Sequence, residues 1–503
     1  MAKRPNMVFI LSDQHSRRVL GCYGNTVAQT PNIDRIAARG VTFRSAYCAS
    51  PICTPSRMSL LTGRWPHEQH CWTLEDALAS DIPTFAHGLG AAGYKTILCG
   101  RMHAIGPDQL HGFDERHVGD CAPNWLGSPR QDLGVLAGAQ GPSPHGEGEV
   151  ARSLRLSGAG QSGYEVVDDA TTEAACETIS RLGAEGRQGK DQPFLLCVGY
   201  LLPHCPFVAR PDDFEAFSGV ELPEPLPKSS NENSWIDAWR RSTGLDKHDP
   251  AAARRARTAY YGMVRALDRK IGLVLDALER EGLLEDTLII YASDHGEHLG
   301  DHDLWWKNTF HEESVSVPLV VSWPGSMRQG VQCDHVVNLV DIGATLLDAA
   351  GAVPLPRSRG RSLLAIGANP RAEWVDETFS EYVTDLSSAW TGPQATQQRM
   401  IRQGRWKYVH IAGHPPQLFD LERDPNEAVD LGLDPAHQTV RRRLSERVLD
   451  GWDPAAIEAE VAIRCAEKAV LREWGRRTDP PSRYVFAIRA EDSWLQEPGS
   501  PDE

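Results

Sequence analysis

Leu288-Ile289-Ile290-Tyr291-Ala292 is an unbroken apolar run that ends on Ser293-Asp294-His295-Gly296-Glu297. An apolar stretch of that length reads as a strand buried on both faces, the habit of a mostly parallel sheet covered by helices. Polar groups that follow such a strand directly sit where an open α/β sheet collects its ligands, beyond the carboxyl ends of its strands. The chain opens the same way, with Met7 to Leu11 running into Ser12-Asp13-Gln14. Two strand ends of this kind place Asp13, Gln14, Asp294 and His295 together as a metal site.

Further apolar runs at Thr96 to Cys99, Phe194 to Leu201 and Leu319 to Ser322 supply more strands. Between them, Tyr260, Val264, Leu267, Ile271, Val274, Leu275 and Leu278 recur at steps of three or four, predicting one long amphipathic helix over about Ala251 to Leu283. The expected fold class is α/β, a large mostly parallel sheet sandwiched by helices, over 1–365. A Pro-, Arg- and Gly-rich stretch after Gly351 leads to strand-like runs at Met400 to Arg402 and Trp406 to Ile411, then helices around Thr439 to Asp450 and Ala455 to Glu473. These predict a smaller C-terminal α+β subdomain over 366–477. The Pro-rich, acidic tail 478–503 is expected either to be disordered or to lie as an arm on a neighbouring subunit. Two stretches rich in turn formers, Asp120 to Tyr164 and Pro223 to Asp249, read as surface insertions near the functional face.

The 503 residues are 41% hydrophobic and 24% charged, in the range of folded proteins, and no run is long enough to span a bilayer. A net charge of −16 disfavours nucleic acid as a partner while leaving room for a local basic pocket that holds a small anion. Eleven cysteines, an odd number without paired spacing, argue for reduced thiols. The first apolar run is too short for a secretory leader, so the expected location is cytoplasmic.

Cys53-Thr54-Pro55-Ser56-Arg57 opens the helix-like run Met58-Ser59-Leu60-Leu61-Thr62-Gly63-Arg64. Cys53 then stands at a helix N-terminus, where backbone N–H groups favour an anion. One turn on, Arg57 points its guanidinium at the same place.

Cys-x-Pro-Ser-Arg followed by Leu-Thr-Gly-Arg resembles the signature of formylglycine-dependent sulfatases, members of the alkaline phosphatase superfamily. The resemblance extends over roughly the whole chain and is strongest toward the choline sulfatase and phosphonate monoester hydrolase branches. It implies an alkaline phosphatase-like fold and conversion of Cys53 to formylglycine by a formylglycine-generating enzyme. It also implies one divalent cation bound by Asp13, Gln14, Asp294, His295 and the modified Cys53. Mostly oxygen ligands suit calcium, and the imidazole leaves manganese open. Gly100-Arg101-Met102-His103 resembles the family's Gly-Lys-x-His, implying His103 as the base that releases sulfate. Arg101 departs from the usual lysine, keeping the charge but not its geometry. Pro203-His204-Cys205-Pro206-Phe207 resembles the element whose histidine protonates the leaving oxygen, and Lys307 matches the lysine that clamps the sulfate.

The implied partner is a small sulfate ester, aryl or short alkyl, handled by a homo-oligomer with no nucleic acid or membrane involved. A phosphonate or phosphate ester hydrolase of the same superfamily is the nearest rival, and an inactive anion-binding relative is a third reading. Gly106 to Phe113 and Pro415 to Leu421 resemble the choline sulfatase branch, for which Trp125, Trp305 and Trp306 are candidate walls of an ammonium cage. The run His295, His298, His302 invites a zinc reading, but no His-Glu-x-x-His accompanies it.

Overall fold

Asn6–Ser12 forms the centre of an eight-stranded sheet, pairing in parallel with Phe194–Gly199 on one side and with Thr287–Ser293 on the other. The computed structural model describes residues 4–129, 131–142, 151–190, 192–247, 249–384 and 395–496. From edge to edge the sheet runs Val331–Asn338, Val41–Tyr47, Leu319–Ser322, Thr287–Ser293, Asn6–Ser12, Phe194–Gly199, Lys95–Gly100 and Glu115–His117. Leu319–Ser322 runs antiparallel to both of its neighbours, and the other neighbouring pairs are parallel. Helices cover both faces, which is why the central strands carry apolar side chains throughout instead of alternating. The fold is the α/β sandwich expected from the strand pattern.

Helix Pro250–Arg280 starts on the cap Asp249, whose carboxylate accepts from Ala251 N–H, and carries Pro250 in its first turn, where no intrahelical donor is needed. Its apolar stripe is buried from Tyr260 to Leu278. Tyr260 also reaches the functional end of the sheet: its hydroxyl donates to the Gln14 carbonyl at 2.7 Å and accepts from Ser16 N–H at 2.8 Å.

Beyond the main sheet, Glu377–Val383, Gln397–Gln403, Trp406–Ile411 and Gln417–Asp420 form an antiparallel sheet in chain order. Its middle hairpin turns through Gly404, whose φ of 55° is a left-handed conformation suited to glycine. Helix Gln438–Leu449 packs Leu444 and Val448 against Phe379, Ile401, Tyr408 and Leu418. Lys407 joins this unit to the loop and short helix Glu312–Val315 that precede strand Leu319–Ser322, donating to the Phe310 carbonyl at 2.6 Å and to Glu312 at 3.0 Å.

Two expectations are corrected. The segment Pro223 to Asp249 is more than a surface insertion: while Pro223 to Asn231 is mostly exposed, helix Ser234–Ser242 buries Trp235 and Trp239, stacked at 6.2 Å, and Trp235 meets Tyr382 edge to face. The Trp-Ile-x-x-Trp spacing inside a turn-rich stretch carries that helix. The tail as far as 496 follows neither expected course, because it lies on its own chain. Asp120 and Tyr484 to Phe486 exchange backbone hydrogen bonds of 2.9 and 2.7 Å, and Trp494–Leu495 pairs with Gly160 and Gln161. Gly119 permits this approach, since a Cβ there meets the Tyr484 carbonyl at 1.9 Å. Residues 143–150 of the other expected insertion, and 497–503 of the tail, lie outside the described residues. No described helix is long and apolar enough to cross a membrane, and all eleven cysteines are free.

Candidate active site

Helix Cys53–Thr62 enters from extended Ile52 and ends at Gly63, whose φ of 70° caps it in the left-handed region. Each of its ten residues is buried, so it holds Cys53 rigidly at its first turn, under the carboxyl ends of the central strands. Ser56 ties the helix to the late strand by donating to the Asp294 carbonyl at 2.6 Å.

Around the Cys53 sulfur stand His295 Nε2 at 3.2 Å, Lys307 Nζ at 3.2 Å and Asp13 Oδ1 at 3.6 Å. His204 also bonds the Cys53 side chain. Asp13, Cys53, Asp294 and His295 offer ligand atoms that all lie within 4.8 Å of one another, and all four residues are buried. Arg57 clamps both carboxylates, with Nε on Asp294 at 2.7 Å and a terminal nitrogen on Asp13 at 3.0 Å.

His295 donates from Nδ1 to the Gly296 carbonyl at 3.0 Å, which turns a bare Nε2 toward the carboxylates, as a metal-binding imidazole requires. Burial lowers its pKa to about 4, keeping the ring neutral. Burial pushes Asp13 up, but the charges of Arg101, Arg57 and Lys307 win and hold its carboxyl well below the usual range. Two carboxylates and one neutral imidazole beside position 53 make a donor set that fits a hard divalent cation.

Gln14 sits beside this set rather than loose in it. Its amide nitrogen donates to Glu297 Oε2 at 2.5 Å, and its oxygen accepts from Lys307 Nζ at 2.7 Å. Glu297 therefore decides which end of the amide faces the site. Its other oxygen accepts from the N–H groups of Leu299 and Trp306, each at 2.8 Å. Burial raises its pKa to about 7.

Arg101 follows its strand at Gly100, and its guanidinium donates to Asp13 at 2.8 Å, Asp120 at 3.0 Å and His103 Nδ1 at 2.8 Å, with Cys121 Sγ farther off at 3.7 Å. Because arginine only donates, His103 Nδ1 accepts and the ring proton stays on Nε2. Burial and then the Arg101 charge hold His103 well below the ordinary imidazole range. Asp120, which sequence reading missed, accepts from Arg101, from His103 N–H at 2.8 Å and from Cys121 N–H at 2.8 Å. Burial opposes its charge, yet the Arg101 guanidinium beside it outweighs burial and lowers its pKa. Tyr164 was missed as well: its ring meets His204 edge to face at 5.9 Å. No local signal marks either residue, although both lie within the turn-rich stretch expected near the functional face.

Burial and the neighbouring Lys307 charge lower His204, whose Nδ1 bonds the Cys205 carbonyl at 2.5 Å. Asp13, Gln14, Cys53, Arg57, Arg101, His103, His204, Asp294, His295 and Lys307 thus gather at one end of the sheet. Of the three tryptophans, only Trp306 borders this cluster, through its N–H bond to Glu297. Trp305 and Trp306 are buried in the core, the first against Phe207 and the second bonded to Ser153, while Trp125 packs on Trp474. The ammonium cage drawn from them is withdrawn. His298 and His302 turn away from Cys53: His298 bonds Thr309 at 2.8 Å, and His302 stacks on His311 with centroids 4.3 Å apart.

Residues 5–352 match the sulfatase family, and residues 300–452 match the C-terminal region of N-sulphoglucosamine sulphohydrolase. The chain is 32% identical to a choline-sulfatase of Rhizobium meliloti, over 93% of this chain and 91% of that one. It is 30% identical to an arylsulfatase of Clostridium perfringens, over 85% and 90%. The phosphonate monoester hydrolase of Agrobacterium radiobacter shares the fold with a TM-score of 0.71 at 24% identity, over 91% of this chain and 96% of that one. The sulfur-centred cluster and these likenesses lead to one conclusion: the chain belongs to the sulfatase family, sulfuric ester hydrolases of the alkaline phosphatase superfamily.

Proposed function

We propose that the chain hydrolyses small sulfate monoesters, aryl or short alkyl, with position 53 matured to formylglycine and one divalent cation at Asp13, Gln14, Asp294 and His295. The observation that carries this reading is the ring of His295, Lys307, Asp13 and His204 around Cys53 at a helix N-terminus. A cation held there by Asp13, Gln14, Asp294 and His295 would polarise the ester and lower the pKa of an attacking hydroxyl. Calcium suits the oxygen donors and manganese the imidazole.

The hydrated aldehyde at position 53 presents two hydroxyls. One would attack sulfur, its proton passing to His204, which bonds the side chain at position 53 and would return that proton to the departing ester oxygen as the sulfur–oxygen bond breaks. Lys307 and Arg57 offset the charge on the sulfuryl oxygens. A second hydroxyl at position 53 would pass its proton to His103, and the carbon–oxygen bond to sulfate would break with return of the aldehyde, which water hydrates. A phosphonate or phosphate ester presents a similar anion to the same cations, so the ratio of the two activities on one aryl leaving group is part of the test.

Mass spectrometry of the peptide carrying Cys53, beside sulfate release from an aryl sulfate, tests the proposal. A loss of about 18 Da, with activity that vanishes in Cys53→Ala, supports it. An unmodified thiol from a host able to oxidise the motif, together with no hydrolysis of sulfate or phosphonate esters, overturns it.

A further inference from the structure

Tyr164 lies in the first turn of helix Gly163–Arg187, and several contacts fix where its ring points. The cap Ser162 accepts from Tyr164 N–H at 3.2 Å. Gly163 N–H donates to the Ser493 hydroxyl at 3.0 Å, and a Cβ at Gly163 would meet Ile488 at 2.3 Å, so the C-terminal segment of the same chain rests directly on the helix start. The Tyr164 ring packs against the small core that holds Leu133, Leu136, Val167 and Ile488. From there it meets the His204 ring, with centroids 5.9 Å apart and planes at 67°.

His204 bonds the Cys205 carbonyl through Nδ1 at 2.5 Å, which leaves Nε2 for the Cys53 side chain. Two bonds at opposite edges of an imidazole still let the ring pivot about the line that joins them, and an aromatic ring packed against it removes that freedom. The pivot matters in the reaction proposed for the site. There Nε2 takes a proton from position 53 and gives it to the ester oxygen, so it exchanges one partner for another, and the ring must hold its plane while neither bond is complete. The contact with Tyr164 involves neither partner and persists through the exchange.

We propose, resting on the hydrolase reading of the site, that Tyr164 is a positioning residue for the leaving-group acid: its ring holds His204 in the plane from which Nε2 reaches the departing ester oxygen. A leaving group that departs unaided needs little from His204, whereas a basic one needs the proton in full. Loss of the ring is therefore felt in proportion to the basicity of the leaving oxygen, a pattern that general loosening of the fold does not produce. Steady-state kinetics of the full chain, with calcium or manganese supplied, tests this on a series of aryl esters of whichever anion it cleaves, from nitrophenyl to unsubstituted phenyl. In Tyr164→Leu, kcat/KM is expected to fall about 3–10-fold on the phenyl ester and less than about 2-fold on the nitrophenyl ester. Tyr164→Phe, which restores the ring, is expected to regain the wild-type dependence, and Tyr164→Leu is expected to add no further loss in a His204→Asn background. An equal fall on every ester, a Tyr164→Phe variant as impaired as Tyr164→Leu, or a further loss in the His204→Asn background overturns the proposal. A wild-type chain that cleaves neither sulfate nor phosphonate esters removes the hydrolase reading instead. The crystal structure of Tyr164→Leu then judges the contact by itself: the His204 ring is expected to turn out of its plane, and an unmoved ring overturns the positioning role.

Discussion

Lys307 Nζ donates to Cys53 Sγ at 3.2 Å and to Gln14 Oε1 at 2.7 Å, so a single buried amine joins the nucleophile position to the first strand's end. Attraction from Cys53 and Asp13 outweighs burial and raises the lysine's pKa, keeping it charged in the absence of bulk water. Lys307→Met is therefore expected to lower kcat on an aryl sulfate by about 10²–10³-fold, the scale of losing one preorganised donor to a developing anion. Steady-state kinetics beside circular dichroism separates this from unfolding. A folded variant with wild-type kcat removes Lys307 from the chemistry.

Glu297 and Gln14 form a pair whose polarity is testable. Glu297→Gln removes one acceptor from a carboxylate that serves Gln14, Leu299 and Trp306. Its expected effect is a ~10–100-fold loss of affinity for calcium or manganese, read by calorimetry on the metal-stripped protein. Adding Gln14→Glu reverses donor and acceptor, restores the contact, and is expected to recover part of that affinity. A double variant no better than the single one counts against the orienting role.

Asp120 is expected to act on Arg101 and His103 rather than on the cation. Asp120→Asn keeps the shape and removes the charge facing Arg101. The expected result is a ~10–100-fold lower kcat/KM with cation affinity unchanged. Loss of cation binding in that variant would place Asp120 in the metal set instead.

Asp168 links pH to the loop that carries His204. Its carboxylate accepts from the N–H groups of Leu201 and Leu202, each at 2.8 Å, and burial raises its pKa to about 7. In the unfolded chain an aspartate titrates near ~3.9. The folded state holds the proton longer, so this group's stabilisation is complete below about pH 4, declines as pH rises toward 7, and is absent above it. Melting temperatures at about pH 5 and about pH 8 are expected to differ less in Asp168→Asn than in the wild type. Equal differences in the two proteins would show that Asp168 does not titrate in this window.

The central strands were legible because burial on both faces makes them apolar at every position, a signal confined to a few consecutive residues. Phe194 to Leu201 overran the observed strand by only two residues. Val331–Asn338, at the sheet edge, carries exposed Gln332 and Asp334 and gave no comparable run. The tail escaped because its pairing with Asp120 runs through backbone groups, which every residue possesses. Trp305 and Trp306 were misplaced for a related reason: an aromatic side chain suits a core and a ligand cage equally well, and only the packing of Phe207 and Ser153 decides between them.

By itself the sequence determined the α/β class, the helix that opens at Cys53, and the strand ends that carry Asp13, Gln14, Asp294 and His295. Each of these is written in adjacent residues whose local geometry is set by strand and helix periodicity. Only the tertiary structure decided that the Arg101 guanidinium reaches Asp13, Asp120 and His103, that Glu297 turns the Gln14 amide, and that the Tyr164 ring meets His204. Those facts depend on which distant segments the sheet brings within a few ångströms, and contact across such separations leaves no period in the chain.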